Sequence, residues 1–280
     1  MSVLVTGQEG FLGRHVLAAF TAAGKRVVGA GRPELELASV RFATLVRDTR
    51  PELVVHCAGP ASVSASVEDP DGDRSATLDA LGSVLDATGD ARLVLVSSAA
   101  VYGQPAQLPV GEDAPLAPVS PYGRHRVEAE QLARDRSIPL AIARVFSAYG
   151  EGLRRQVLWD VARRALAGGS VELSGTGAET RDFVHAGDVA RAIATIAERA
   201  PFDGEAYNVG TGVETPIARL AELVTRELGG GEVRFNGVAR PGDPERWRAD
   251  IDRLRGLEFE PSISIEDGAP AYARWARDNA

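Results

Sequence analysis

"SVLVTGQEGFLGRHVLAAFTAAGKRVVGA", residues 2–30, decides the fold. Val3, Leu4 and Val5 make a short apolar run that reads as a buried strand. Phe11, Leu12, Val16, Leu17 and Phe20 then recur at helical spacing. Gly7, Gly10 and Gly13 fall between the two, in a GxxGxxG pattern. Glycines at that junction permit a tight turn and a close approach of backbone to phosphate. The helix start offers free N–H groups and the positive end of its dipole to a pyrophosphate. "KRVVGA" returns as a second strand. A strand, a glycine turn, a helix and a strand in this order read as the first unit of a dinucleotide-binding fold.

The same rhythm continues along the chain. "VRFATLVRDT" reads as a helix, "ELVVHCAG" as a strand and "RSATLDALGSVLDATG" as a helix. "ARLVLVSS", "YGRHRVEAEQLARDR" and "PLAIARVF" give strand, helix and strand again. Fully apolar strands alternating with helices predict a parallel sheet covered on both faces. The expected class is α/β, a doubly wound parallel (Rossmann) sheet with a smaller C-terminal substrate lobe. Residues 1–150 are read as the sheet domain, with return segments at about 176–212, and 151–280 as the remainder that builds the lobe.

Composition limits the partners. The chain has 280 residues, 25% of them charged, with a formal net charge of −8 and one cysteine, Cys57. Net acidity argues against nucleic acid, so an anionic ligand needs a local basic pocket. A single cysteine excludes an internal disulfide and fits a reducing compartment. No stretch has the pattern of a signal peptide or of a membrane span, and a cytoplasmic protein is expected. No Cys/His/Asp cluster has metal-ligand spacing, so no metal is expected.

Two further places carry chemistry. The second strand runs into Gly31 and Arg32. An acid near this point accepts the ribose hydroxyls of NAD, whereas an arginine suits the 2′-phosphate of NADP. The acid is missing, which favours NADP(H) over NAD(H). In "SPYGRHR", Ser120 is a good N-cap and Pro121 a good first helical residue. Tyr122 then falls in the first turn, with Arg126 one turn later on the same face. His125 is a candidate for titration nearby, or a surface residue.

With these residues in hand, the chain resembles the extended short-chain dehydrogenase/reductases, the NAD-dependent epimerase/dehydratase group that acts on nucleotide sugars. "VTGQEGFLG" matches the cofactor turn, "VVHCAGPASV" the segment beside the cofactor and "VSSAAVYG" the strand ending in the catalytic hydroxyl. "SPYGRHR" matches YxxxK with arginine in the lysine's place, and "RVFSAYG" a substrate-side loop. "GTGAETRDFVHAGDVARAI", "YNVGTG" and "RPGDPERWRAD" match later signatures. The resemblance implies catalytic roles for Ser98, Tyr122 and Arg126. It implies cofactor contacts at Gly7, Gly10, Phe11, Leu12, Gly13, Arg32, Glu36, Leu37, Cys57 and Ala58, with Tyr122 and Arg126 also on the cofactor. Ser147, Arg181, Arg240 and Asp243 would bind the substrate, a nucleotide-diphosphate sugar; the arginines meet the diphosphate and Asp243 the ribose. A homodimer is likewise implied.

The implied chemistry is hydride transfer at sugar carbon 4, with the tyrosine passing the proton and the nearby cation favouring its ionised form. Arginine keeps the charge but cannot relay a proton. Dehydratases of the group carry an acid pair after the catalytic hydroxyl. Here Ala99 and Ala100 stand there, which disfavours dehydration. The absent acid and the short link "GRPELELAS" favour an NADPH-dependent 4-ketoreductase of a nucleotide deoxysugar. The alternative is a nucleotide-sugar 4-epimerase with bound NAD. An alternative of another class is a non-catalytic dinucleotide sensor, whose support is the missing lysine.

Overall fold

The computed structural model describes residues 1–31, 36–238 and 244–280. The first half follows the predicted alternation: β1 (Ser2–Thr6), α1 (Phe11–Ala22), β2 (Arg26–Ala30), α2 (Val40–Thr49) and β3 (Leu53–His56). Then come α3 (Val63–Glu68), α4 (Pro70–Thr88), β4 (Arg92–Ser98), a 3-10 turn (Ala99–Tyr102), α5 (Pro121–Asp135) and β5 (Leu140–Val145). Two features differ from the sequence expectation. The short helix α3 has no counterpart in it, because six residues are too few for a periodic signal. Helix α4 starts at Pro70, earlier than residue 74, because the Asp69 carboxylate caps it by accepting the Gly72 N–H at 3.0 Å.

Beyond β5 the elements shorten: β6 (Ser147–Tyr149), α6 (Gln156–Leu166), β7 (Val171–Leu173), β8 (Thr180–Arg181) and β9 (Phe183–His185). The chain continues with α7 (Ala186–Arg199), β10 (Asp203–Val209), β11 (Thr215–Pro216), α8 (Ile217–Glu227) and β12 (Val233–Phe235), and closes with α9 (Asp252–Arg255) and α10 (Ile265–Asn279).

The main sheet has six parallel strands in the order β10-β5-β4-β3-β1-β2. Alternate residues of each strand enter opposite cores. Val3 and Val5 pack with Phe20 of α1 and Ile193 and Ile196 of α7, while Leu4 packs with Phe42 of α2 and Leu81 of α4. That two-sided burial is why the strands are apolar throughout. Strand order reverses between β1 and β3, and such a switch point opens a crevice at the carboxyl ends of the strands. The Gly7 turn and the "HCAG" segment both lie at those ends.

A separate apolar cluster holds the lobe, joining Leu158 and Val161 of α6, Leu220 and Val224 of α8 and Tyr272 and Ala273 of α10, with Phe11 of α1 packed against it. Among the described residues, no helix is long and apolar enough to cross a membrane.

Candidate active site

The site is built outward from the glycine turn. Gly7 has φ +72°, and a Cβ there would lie 2.8 Å from the backbone N and Cα of Ala58. A Cβ on Gly13 would lie 2.0 Å from the Gly7 carbonyl, so α1 can rest on the turn only without one. Gly10 caps α1 with extended backbone and no side-chain bond, leaving the first-turn N–H groups for a ligand. Phe11 reaches the lobe cluster and meets His15 edge-on at 5.7 Å, while Leu12 packs under the sheet. Beneath the turn, Thr6 Oγ1 lies 2.8 Å from His56 Nδ1, tying β1 to β3. Burial, and then the charge of Arg126, push His56 down to about 3, so the ring is neutral. Desolvation pushes the Cys57 thiol up to about 12, which makes it an inert packing group beside Ala58.

Arg126 continues the chain of contacts. Its guanidinium donates to the Pro60 carbonyl and lies 3.2 Å from where a Cβ on Gly59 would be. The guanidinium carbon sits 5.1 Å from the centre of the Tyr122 ring. At 6% exposure this is a buried arginine rather than a solvated helix charge. Its Nε is buried with no acceptor among the described residues.

Tyr122 is held from two sides. The Ser120 hydroxyl caps α5 by accepting from Gly123 N at 3.1 Å, and Tyr122 N donates to Ser66 Oγ of α3 at 3.0 Å. A Cβ on Gly123 would lie 2.5 Å from the Ala100 carbonyl, so the first turn of α5 rests on the 3-10 turn. Ser98 caps that 3-10 turn, accepting from Ala100 N at 3.2 Å. One run of contacts thus joins Gly7, Ala58, Arg126, Tyr122 and the turn that Ser98 begins. His125 is not a surface residue. It is 6% exposed and its Nδ1 lies 2.6 Å from Asp73 Oδ2 of α4, locking α4 to α5.

The substrate-side residues gather on the other wall. Ser147 N donates to the Asp182 carbonyl at 3.0 Å, next to Arg181. The Arg181 guanidinium carbon lies 5.8 Å from the Trp247 ring, whose indole N–H donates to the Gly103 carbonyl at 2.9 Å. Trp247 also meets Phe146 edge-on at 6.0 Å, so it links the Arg181 wall to the 3-10 turn. Leu37 packs partly into the α2/α4 core, and Glu36 is exposed, its carbonyl accepting from Ser39 Oγ at 2.6 Å. Arg32, Arg240 and Asp243 lie outside the described residues. His185 is structural: its Nδ1 accepts from Gly187 N at 3.1 Å at the start of α7. Among the described residues no group of His, Cys, Asp and Glu could hold a metal ion.

Sequence reading missed three supporting residues. Ser66 orients Tyr122 from α3. Glu130 of α5 accepts from Ser97 Oγ at 2.6 Å and from Arg144 at 3.0 and 2.8 Å, tying the tyrosine's helix to the strand before Ser98. Asp182 accepts from Thr211 N and Oγ1 at 2.7 Å, Gly212 N at 2.8 Å and Ala249 N at 3.1 Å, fastening the lobe beside Arg181. Glu130 was visible only as the third member of the i, i+4, i+8 row after Tyr122 and Arg126.

A cradle closed to any Cβ, a helix start without a side-chain cap and a buried guanidinium nitrogen without an acceptor all fit a dinucleotide. The sequence model of the NAD dependent epimerase/dehydratase family matches residues 3–210. The chain belongs to that family.

A UDP-glucose 4-epimerase of Azospirillum brasilense is 34% identical over 321 aligned positions, covering 98% of this chain and 92% of that protein. A UDP-glucose 4-epimerase of Mycolicibacterium smegmatis is 30% identical over 315 positions, covering all of both. Among solved structures, the Thermus thermophilus UDP-glucose 4-epimerase in complex with NAD has a TM-score of 0.91 at 28% identity over 100% of both chains. MoeE5 in complex with UDP-glucose and NAD has a TM-score of 0.89 at 28% identity, over 100% of this chain and 99% of that one. Family membership makes the chain an enzyme of the extended short-chain dehydrogenase/reductase type. The preference for NADPH and a 4-ketoreductase finds no support in these relatives. They favour NAD and the 4-epimerase alternative.

Proposed function

We propose that this enzyme is a nucleotide-sugar 4-epimerase of the UDP-glucose type, with NAD as a bound cofactor. The observation that carries the reaction is the full-length likeness to UDP-glucose 4-epimerases, and the neighbours solved with NAD support the cofactor. Bound NAD would accept a hydride from sugar carbon 4 and return it. The Gly7–Gly10 turn and the start of α1 would hold its pyrophosphate, and Arg126 its nicotinamide ribose through the nitrogen that lacks an acceptor.

Tyr122 takes the proton from the sugar 4-hydroxyl as the carbon–hydrogen bond is broken, and returns it when the carbonyl is reduced from the opposite face. Ser98 donates to the same oxygen and holds it toward Tyr122. Arg126 places a permanent charge over the tyrosine ring and does not give up its own proton. Arg181 holds the diphosphate, so that the sugar turns while its anchor stays. Ala99 and Ala100 are 0% and 7% exposed, so the two positions after Ser98 carry no acid to eliminate water from a neighbouring carbon.

Incubation with UDP-glucose and NAD, without added reductant, tests this. UDP-galactose should accumulate to an equilibrium mixture. Turnover seen only as stoichiometric NADPH consumption on a 4-keto sugar would restore the reductase.

A further inference from the structure

The end of β2 poses a problem for NAD. That position usually presents a carboxylate to the adenosine ribose, and here it is Gly31, with no side chain. Gln8, the residue after the first glycine, fills the place. Its amide oxygen is buried and meets no donor among the described residues. That oxygen lies 3.3 Å from where the Cβ of Gly31 would be.

The approach depends on a second glycine. A Cβ on Gly29 would come within 2.7 Å of Gln8 Cγ and 3.0 Å of Gln8 Cβ. The side chain therefore runs along β2 in a slot that exists because residues 29 and 31 both lack side chains. The slot is anchored at its base, where Gly7 N donates to the Ala30 carbonyl at 2.7 Å. A desolvated acceptor without a donor is uncommon in folded proteins, and a ligand hydroxyl is a chemical reason for one.

We propose that Gln8 is the acceptor for the adenosine ribose hydroxyls, delivered from the glycine turn in place of the missing acid. The proposal rests on the reading of NAD as the cofactor. An amide oxygen accepts a hydrogen bond from a hydroxyl as a carboxylate does but carries no charge, so it does not repel a 2′-phosphate. Gln8 therefore favours NAD by the fit of a hydrogen bond, and leaves NADP a weaker ligand rather than an excluded one.

The test is titration of the protein, freed of bound dinucleotide, with NAD and with NADP by calorimetry. The proteins compared are the native chain, Gln8→Met, which keeps the length in the slot without the acceptor, and Gln8→Glu, which restores a charge. Gln8→Met should weaken NAD by about tenfold and change NADP by less than about threefold, as expected for one lost hydrogen bond. Gln8→Glu should keep NAD within about threefold and weaken NADP by about tenfold or more through charge repulsion. Gln8→Met binding NAD within about twofold of the native protein overturns the assignment, as does Gln8→Glu with unchanged NADP affinity. Epimerisation of UDP-glucose by the native protein is read in parallel. If it proceeds while Gln8→Met holds NAD normally, Gln8 alone is misassigned. If NAD affinity depends on Gln8 but no UDP-sugar is turned over, the reaction alone is misassigned.

Discussion

Arg126 concentrates the question at the residue scale. A lysine reaches a ribose as a flexible point charge, whereas this arginine spans from the Tyr122 ring to the Pro60 carbonyl as a rigid plane. Charge and contact are both kept, and the proton taken by Tyr122 stays on the tyrosine until it is returned to the sugar oxygen, so no relay through residue 126 is needed. Arg126→Lys should therefore leave the rate similar or higher, while Arg126→Ala should lower kcat by about tenfold or more, because the site loses a buried charge and the contact proposed for the nicotinamide ribose. Steady-state rates decide it, and an alanine variant within about twofold of native would return Arg126 to a packing role. Tyr122→Phe should cost about 100-fold or more in kcat with dinucleotide binding intact, since it removes the proton carrier. Dinucleotide titration beside the rate assay separates the two effects. Tyr122 and Arg126 were legible because a cap, a proline and helical spacing place both locally. His125 was not, because its partner Asp73 lies 52 residues away in sequence and only the packing of α4 on α5 brings them together.

At the scale of elements, the buried Glu130–Arg144 pair joins α5, β4 and β5. Glu130 is 0% exposed and Arg144 3%, and Arg144 also donates to the Tyr102 hydroxyl at 2.9 Å. Glu130→Ala strands the arginine charge and should lower unfolding free energy by about 3–5 kcal/mol. Ser97→Ala removes one neutral donor and should cost about 1 kcal/mol. Denaturant unfolding of both variants checks the contrast, and equal small losses would mean that the arginine finds water or another partner. The alternation of strands and helices was readable because apolar period and length are local signals. The pairings of β6 with β9, β7 with β12 and β8 with β11 were not, since two- and three-residue strands carry no periodicity and are fixed by what lies beside them.

For the whole molecule, His56 couples the site to stability. Its folded-state value is about 3 against 6.5 for a free histidine, so acid protonates the unfolded chain first. The stability linked to this group is full above pH ~6.5 and is lost progressively as pH falls toward ~3, by up to about 1.4 kcal/mol per pH unit. His56→Asn should lose less stability than the native protein between pH 6.5 and pH 4, seen in unfolding curves across that range. Parallel curves would mean that the ring is protonated in the folded state. The family was legible along the whole chain, but the reaction was not. The missing acid at Gly31 pointed to NADP because a glutamine reaching across from another turn is invisible to a reading of one strand at a time.

Retention of the carbon-4 hydrogen is the most direct test of redox-neutral epimerisation. UDP-glucose carrying deuterium at carbon 4 should give UDP-galactose with the deuterium still at carbon 4 and no net change in dinucleotide oxidation state. Loss of the label to solvent, or product formed only with consumption of an external reductant, would contradict hydride return within one site.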